Sequence, residues 1–486
     1  MTGRRGAALL LAAFLLGIAI FYGFTLRPGH DWGDDFAMYV HHAKNIALGL
    51  PYNQTGYIWN PRFPMMGPPT YPPVFPLMLA PVYAVFGLDL MPMKWVGIAS
   101  FLGALLLTAL IFRRFLSPLY LAVLLALLGL NPYFWRLKDA VLSDLPFFFF
   151  TYLALYLLQR QPGSDRPRGR VALHAVAFGV ACYLAYGTRS LGVVLIPCAI
   201  LTELSWRRRV SSWNAVAALV FVLLAALQAA VSHRDSGYAA ILSLDPHRIA
   251  LNVVEYARYL SGLWDSAWVK TADTWLLALF GLLAAMGLLA RLRAKPGPLE
   301  IFAVLYGLAI LPWIATQGRY LLPLMPIYVG FALWAVQVMG KRSPKRARLI
   351  LAGLTVLAGL GFASIYTTTP MRSGPEGVGT PDAVGLWQAV ERITSSEDVI
   401  LFQKPRALAL FTGRRSTAIH DAGSDQEVLD YVRGVDARYA IVGPDDPAFM
   451  YQGRIRHAIE ADPGTFSLVY RNPEFAMYRI RLPGPR

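Results

Sequence analysis

Residues 7–26 read AALLLAAFLLGIAIFYGFTL, twenty positions without a charge, and residues 27–39 follow as RPGHDWGDDFAMY. A helix rises about 1.5 Å per residue and needs about 20 residues to cross about 30 Å of hydrocarbon, so the first stretch predicts a membrane span. Arg4 and Arg5 ahead of it resemble the start of a signal peptide, but no small-residue cleavage site follows and many more apolar runs do, so the span is expected to be retained. The further runs are residues 95–112, 116–134, 140–158, 171–186, 190–204, 214–231, 274–290, 301–316, 320–339 and 349–366, none with a central charge. Together they predict a polytopic α-helical membrane protein of about eleven spans.

Working outward, 56% of the 486 residues are hydrophobic and 15% charged, which no ordinary soluble domain matches. The net charge of +16 is uneven: residues 1–366 hold 31 basic and 14 acidic side chains, residues 367–486 hold 14 and 15. The excess sits in short clusters between apolar runs rather than on one folded surface, which excludes nucleic acid as a partner. Cys182 and Cys198 both lie in apolar runs, so neither a disulfide framework nor a cysteine metal site is available. Lys and Arg beside spans stay on the cytoplasmic side. Nineteen of them fall in alternate loops, at Arg4/Arg5, Arg113/Arg114 and residues 160–170, 207–209, 291–295 and 341–348. The N-terminus is therefore expected inside, and loops 27–94, 135–139, 187–189, 232–273 and 317–319 outside together with the tail. Beyond the membrane unit, residues 1–366, the Thr-, Pro- and Gly-rich residues 367–381 read as a linker. Helical spacing over 383–393 and 425–433, and strands over 399–402, 437–442, 466–471 and 475–480, predict a small soluble α/β domain, residues 382–486.

The densest polar group follows the first span: His30, Asp31, Asp34, Asp35, His41, His42 and Lys44. From Asp35 to Leu48 the apolar pattern predicts an amphipathic helix in the interface, closed by Gly49 and Pro51. Asp34 fits its N-cap. The same carboxylate, partly desolvated at a membrane surface, also fits a proton acceptor. Seven prolines over residues 60–76 forbid regular helix there, leaving a rigid loop toward a second interfacial helix over 74–87, or a cap over a cleft. Asp144 opens the fourth span in Leu142-Ser143-Asp144-Leu145-Pro146, where Ser143 or Asp144 fits an N-cap, and Arg136, Lys138 and Asp139 share that interface, the basic pair able to snorkel to headgroups. Arg189 and Arg319 lie in very short outer turns, against the orientation rule; a lipid phosphate would account for them. The basic loops alone thus bring Asp34, Asp35, Asp144, Arg189 and Arg319 to one membrane face. His30, Asp31, Asp34 and His41 are of types that hold a divalent cation, without a spacing that fixes its geometry. No P-loop, GxSxG elbow, HExxH, Rossmann glycine pattern or paired CxxC occurs in a fitting context.

The motifs resemble those of the GT-C glycosyltransferases that use polyprenyl-phosphate sugars, among them the protein O-mannosyltransferases and lipid A aminoarabinose transferases. The resemblance rests on Gly33-Asp34-Asp35-Phe36-Ala37-Met38-Tyr39, Ala43-Lys44-Asn45-Ile46-Ala47-Leu48-Gly49 and Tyr71-Pro72-Pro73-Val74-Phe75-Pro76-Leu77. It continues through Ser143-Asp144-Leu145-Pro146-Phe147, Thr188-Arg189-Ser190-Leu191-Gly192 and Arg319-Tyr320-Leu321-Leu322-Pro323-Leu324-Met325-Pro326, in that order over residues 1–330. The family often has Asp-Glu where this chain has Asp34-Asp35, and Glu where it has Asp144. The resemblance implies a catalytic carboxylate at Asp34, with Asp35 as neighbouring candidate, and Asp144 as a third acidic site residue. It implies donor-phosphate contacts by Arg189, Arg319 and Lys138, and substrate-facing loop positions at Tyr39, His41, Tyr71 and Tyr320. It also implies an enzyme of a bacterial inner membrane, its cleft and tail facing the periplasm, that needs no cofactor, with a divalent cation at His30, Asp31 and Asp34 as the open alternative.

Such an enzyme would move a sugar, with inversion, from the lipid phosphate to a protein hydroxyl, lipid A or another glycolipid, or an envelope polysaccharide. Phosphate is a good leaving group, so one base suffices where glycoside hydrolysis uses two carboxyl groups. A transporter or flippase of a lipid-linked sugar would usually show ionisable residues near mid-membrane, and these spans have almost none. A non-catalytic scaffold would not need eleven spans.

Overall fold

The computed structural model describes residues 2–63, 66–162, 166–232, 242–269, 271–371, 374–420 and 422–481; Pro64 of the proline-rich run and residues 233–241 of the second long outer loop lie outside them. The apolar runs form helices. After α1 (Thr2–Phe24) come two helices of the first loop, α2 (Asp35–Leu48) and α3 (Val74–Phe86), then α4 (Leu90–Phe112), α5 (Pro118–Gly129), α6 (Pro132–Leu137), α7 (Asp144–Gln159) and α8 (Arg168–Thr188). There follow α9 (Leu195–Arg207), α10 (Ser212–Ser232), α11 (Pro246–Ser261), α12 (Ala272–Ala294), α13 (Pro298–Ile310), α14 (Met325–Met339) and α15 (Pro344–Thr368). Among the described residues eight helices are long and apolar enough to cross a membrane, and α5, α7 and α13 are shorter apolar helices. Short 3-10 turns, Ser190–Val194 and Gly318–Leu324, lead into α9 and α14.

The run expected as one span over 116–134 breaks at Leu130 and Asn131. The Asn131 side chain accepts the Tyr133 N–H at 2.9 Å, Pro132 takes the first helical position of α6, and the amide also donates to the Leu263 carbonyl. A helix not foreseen in the second outer loop, α11, is capped by Asp245, which accepts from the His247 and Arg248 N–H groups. Its Asn252 donates to the carbonyls of Leu311 and Trp313, both at 2.7 Å, and Thr316 donates to Glu255. These bonds hold the segment that leads to Arg319.

Beyond the spans, α16 (Pro381–Ile393), α17 (Pro405–Thr412), α18 (Asp425–Gly434) and α19 (Gly453–Ala461) flank a sheet. Two short strands, β1 (Gly29–His30) and β2 (Glu376–Gly377), pair in parallel apart from it. The sheet contains β3 (Val399–Leu401), β4 (Arg415–Thr417), β5 (Ala437–Val442), β6 (Phe466–Arg471) and β7 (Ala476–Ile480) in the order β4-β3-β5-β7-β6, its first three strands parallel and the rest antiparallel. Side chains alternate across it with the period of two that a strand imposes. Val399 and Leu401 pack with α18 and α19, while Ile400 and Phe402 face α16 and α17.

The second of those cores also contains Phe36, Met38 and Val40 of α2, and Phe75 and Leu79 of α3. So α2 is not an amphipathic helix lying open on the interface: nine of its residues are buried, packed between α3 and α17 of the α/β unit. Residues 56–58 extend the sheet beside β4, with Ile58 N–H donating to Ser416 O at 2.8 Å and Ser416 N–H to Gly56 O at 2.9 Å. At Gly377 φ is +55°, and a Cβ there would lie 2.1 Å from the His30 carbonyl. First outer loop and tail therefore share one core, and the boundary legible in composition is not a boundary in packing.

Candidate active site

Asp35, the first residue of α2, lines a cleft where the loops at 188–191 and 313–320 meet the proline-rich loop, and Asp144, the first residue of α7, is buried behind the two arginines of that cleft. Tyr39, Gly67, Tyr71, Thr188, Arg189 and Tyr320 also line it. Asp35 Oδ1 accepts from the Tyr71 hydroxyl at 2.5 Å and lies 3.1 Å from Arg406 Nη1; Oδ2 is paired with Arg319. Arg319 Nη1 lies 3.5 Å from Asp144 Oδ2, and Arg189 Nη1 2.9 Å from Asp144 Oδ1. Arg189 Nε donates to Ser143 Oγ at 3.1 Å, which in turn bonds the Tyr39 hydroxyl at 2.8 Å. An alternating row of cations and carboxylates, Arg406, Asp35, Arg319, Asp144 and Arg189, thus forms one wall of the cleft, with Arg406 and Asp144 buried behind it. Asp144 is buried and pairs with both Arg189 and Arg319.

Neither Asp34 nor Ser143 caps the helix it precedes: both side chains are drawn away from it. Asp34 instead accepts from the N–H groups of Arg406 at 3.3 Å and Ala407 at 3.0 Å, the second and third positions of α17. It caps a helix that begins 371 residues further along the chain and does not line the cleft. Burial pushes its carboxyl up, against the pull of Arg406, the α17 amides and Lys404. Asp35 is opposite. Burial again disfavours its charge, but Arg319 and Arg406 outweigh this and hold the carboxyl well below the usual range.

Lys138 is not brought to the cleft. Its buried ammonium lies 2.6 Å from Asp139 and over the Trp135 ring, beside the Arg27–Glu376 pair. His41 is buried in α2, its imidazole pushed down to about 4 by burial and Lys44. His42 supports the site instead. Burial lowers it to about 3, its Nδ1 bonds the Tyr52 carbonyl, and its Nε2 accepts the Tyr71 N–H at 3.2 Å. Tyr320 lies in the cleft with the Arg189 guanidinium 5.2 Å over its ring.

A metal fits the named residues poorly. His30 Nε2 accepts the Val141 N–H, its Nδ1 faces Asp31, and Asp34 is turned to α17; among the described residues no group of three His, Cys, Asp or Glu side chains could hold an ion. Missed by sequence reasoning altogether was Arg406, 2% exposed, for which no motif or periodicity gave a signal.

No family model matches the sequence, and no curated protein matches it. Solved structures do. ArnT from Cupriavidus metallidurans bound to undecaprenyl phosphate superposes with a TM-score of 0.58 at 15% identity, covering 98% of both chains. The archaeal oligosaccharyltransferase AglB from Archaeoglobus fulgidus, in complex with an inhibitory peptide and a dolichol-phosphate, gives 0.57 at 11%, covering 89% of this chain and 69% of its own. The arabinofuranosyltransferase AftD from Mycobacteria gives 0.56 at 13%, covering 99% and 40%. The chain has the GT-C fold. It is an integral membrane protein.

Proposed function

We propose that the chain is an inverting glycosyltransferase that moves a sugar from a polyprenyl-phosphate donor to an acceptor hydroxyl or amine. The observation that carries this reading is the convergence of Asp35, Arg189 and Arg319 in one cleft beside the apolar helices, with the buried Asp144 paired to both arginines, the four residues coming from four separate chain segments. The structural neighbours, two of them solved with a polyprenyl phosphate, support it. We place the cleft at the periplasmic face of a bacterial plasma membrane, on the strength of the basic clusters in the opposite loops. The acceptor is a protein, a glycolipid such as lipid A, or an envelope polysaccharide.

In the step we propose, Asp35 takes the proton from the acceptor as its oxygen or nitrogen bonds to the anomeric carbon. The bond from that carbon to the phosphate oxygen breaks, and the electron pair leaves on the phosphate, held by Arg189 and Arg319. A donor phosphate competes with Asp35 for Arg319. Binding of the donor therefore frees Asp35 Oδ2 and raises its basicity when the substrate is in place. Charge neutralisation falls to the guanidinium groups, and no step runs through a metal.

Mass spectrometry of lipids retained after gentle purification from the native membrane tests this. A polyprenyl phosphate or its glycosyl form is expected on the wild-type protein and absent from the Arg189→Gln/Arg319→Gln protein. Ordinary phospholipids alone, with donor lipid present in the extract and none bound on adding it back, would sink the proposal.

A further inference from the structure

We infer that Arg406, carried by the C-terminal α/β unit, is a positioning residue of the cleft: it fixes Asp35 Oδ1, the Tyr71 hydroxyl and the proline-rich loop, so that only Asp35 Oδ2 is left for chemistry. This rests on the reading of Asp35 as proton acceptor and extends it to a side chain 371 positions away. Both Nη atoms of the guanidinium are engaged, and its Nε lies 3.9 Å from Asp34 Oδ2. Nη1 donates to Asp35 Oδ1 at 3.1 Å and to Tyr71 Oη at 2.6 Å, while Nη2 donates to the Met66 carbonyl and reaches that of Pro68 at 3.5 Å. The group also lies 4.9 Å over the Tyr57 ring and 5.0 Å over that of Tyr71. Gly67, at φ +82°, lets the loop lie against it, since a Cβ there would come within 2.7 Å of Nη2. Asp34, bonded to the first amides of α17, holds the backbone of Arg406 in register.

Stability does not explain this placement, because replacing a buried ion pair by apolar side chains is often neutral or stabilising. A lysine would not reproduce it either, since one ammonium lacks the planar fork that serves a carboxylate, a phenol and two carbonyls together. What the arrangement achieves is a division of labour between the Asp35 oxygens. Tyr71 and Arg406 pin one of them; Arg319, which a phosphate can draw away, faces the other. The charged and titratable groups around Asp35 are Arg319 and Tyr320 from the Gly318–Leu324 turn, Arg406 and Lys404 from the tail, Tyr71 from the loop, and Tyr39 and the adjacent Asp34. The tail is thereby part of the catalytic centre rather than an appended domain.

The test uses the full-length protein and its Arg406→Gln and Arg406→Lys variants. Water-soluble carbodiimide with glycine ethyl ester modifies protonated carboxyl groups, and the Asp35 side chain is 29% exposed, so the reagent reaches it. Peptide mass spectrometry between pH 4 and 6 is expected to find Asp35 spared in the wild type and labelled several-fold more in Arg406→Gln, with Arg406→Lys between them. Transfer assays are expected to show kcat falling at least tenfold in Arg406→Gln with donor KM changed less than about twofold. Unchanged Asp35 labelling in both variants, or a loss carried by donor KM with kcat kept, would overturn the inference. If Arg406→Gln does not fold, Arg406→Lys carries the same decision. The labelling needs no sugar donor, so a wild type without transferase activity would defeat the proposed function while the coupling of Arg406 to Asp35 is still decided.

Discussion

Two adjacent aspartates have opposite surroundings, Asp35 in the cleft and Asp34 turned to α17, and substitution separates their roles. Asp35→Asn removes the proposed base and is expected to lower kcat by about 10²–10⁴-fold. Asp34→Asn keeps one oxygen, enough to accept from one of the two α17 amides, and touches nothing in the cleft, so its transfer rate is expected to stay within about tenfold of wild type; purified proteins assayed side by side decide it. If Asp34→Asn proves the more damaging, the assignment reverses. The pH profiles carry a sign as well. In the free enzyme Arg319 and Arg406 hold the Asp35 carboxyl low, so kcat/KM should show no acidic limb from it above about pH 4. In the donor complex Arg319 is drawn to the phosphate, so the acidic limb of kcat should lie at higher pH than that of kcat/KM. At this scale the proximity of Asp35, Asp144, Arg189 and Arg319 was legible, because motif order and loop charge both brought them to one face. The choice between Asp34 and Asp35 was not, since one residue of helical rotation decides which carboxylate faces the cleft.

Elements were easiest to foresee where a single physical period ran uninterrupted. The apolar runs became helices, and the strands over 437–442 and 466–471 stand where alternation placed them. What escaped was short or supported only by distant partners. Helix α17 has eight residues and its start is capped by Asp34, while β4 has three and is held between β3 and residues 56–58. No local window contains those partners. The β1–β2 pairing is another such contact, and it makes a testable claim. Gly377→Ala places a Cβ against the His30 carbonyl at a φ that L-residues rarely adopt. Strain at such a position costs about 1–3 kcal/mol. A lower midpoint in a thermal-shift measurement in detergent, with faster proteolysis within residues 367–381, is the expected outcome; an unchanged midpoint would show that the pairing contributes nothing.

For the molecule as a whole, sidedness joins the membrane unit to the chemistry. The basic clusters lie in loops remote from the cleft, and the α/β unit packs on the cleft side through α2, α3 and residues 56–58. If Lys and Arg mark the cytoplasm, cleft and tail open to a compartment unlikely to supply nucleotide sugars, and a lipid-linked donor becomes a chemical requirement rather than a preference. Cysteine labelling tests that premise cleanly because Cys182 and Cys198 are both buried. Arg438, on β5, has a side chain 64% exposed, and Arg209 is exposed in the opposite basic cluster. A membrane-impermeant maleimide applied to cells whose plasma membrane is intact should label Arg438→Cys directly and Arg209→Cys only after permeabilisation. The reverse pattern would put the cleft in the cytoplasm, where nucleotide sugars are at hand, and would remove the physical reason for a polyprenyl-phosphate donor even with the arginines in place.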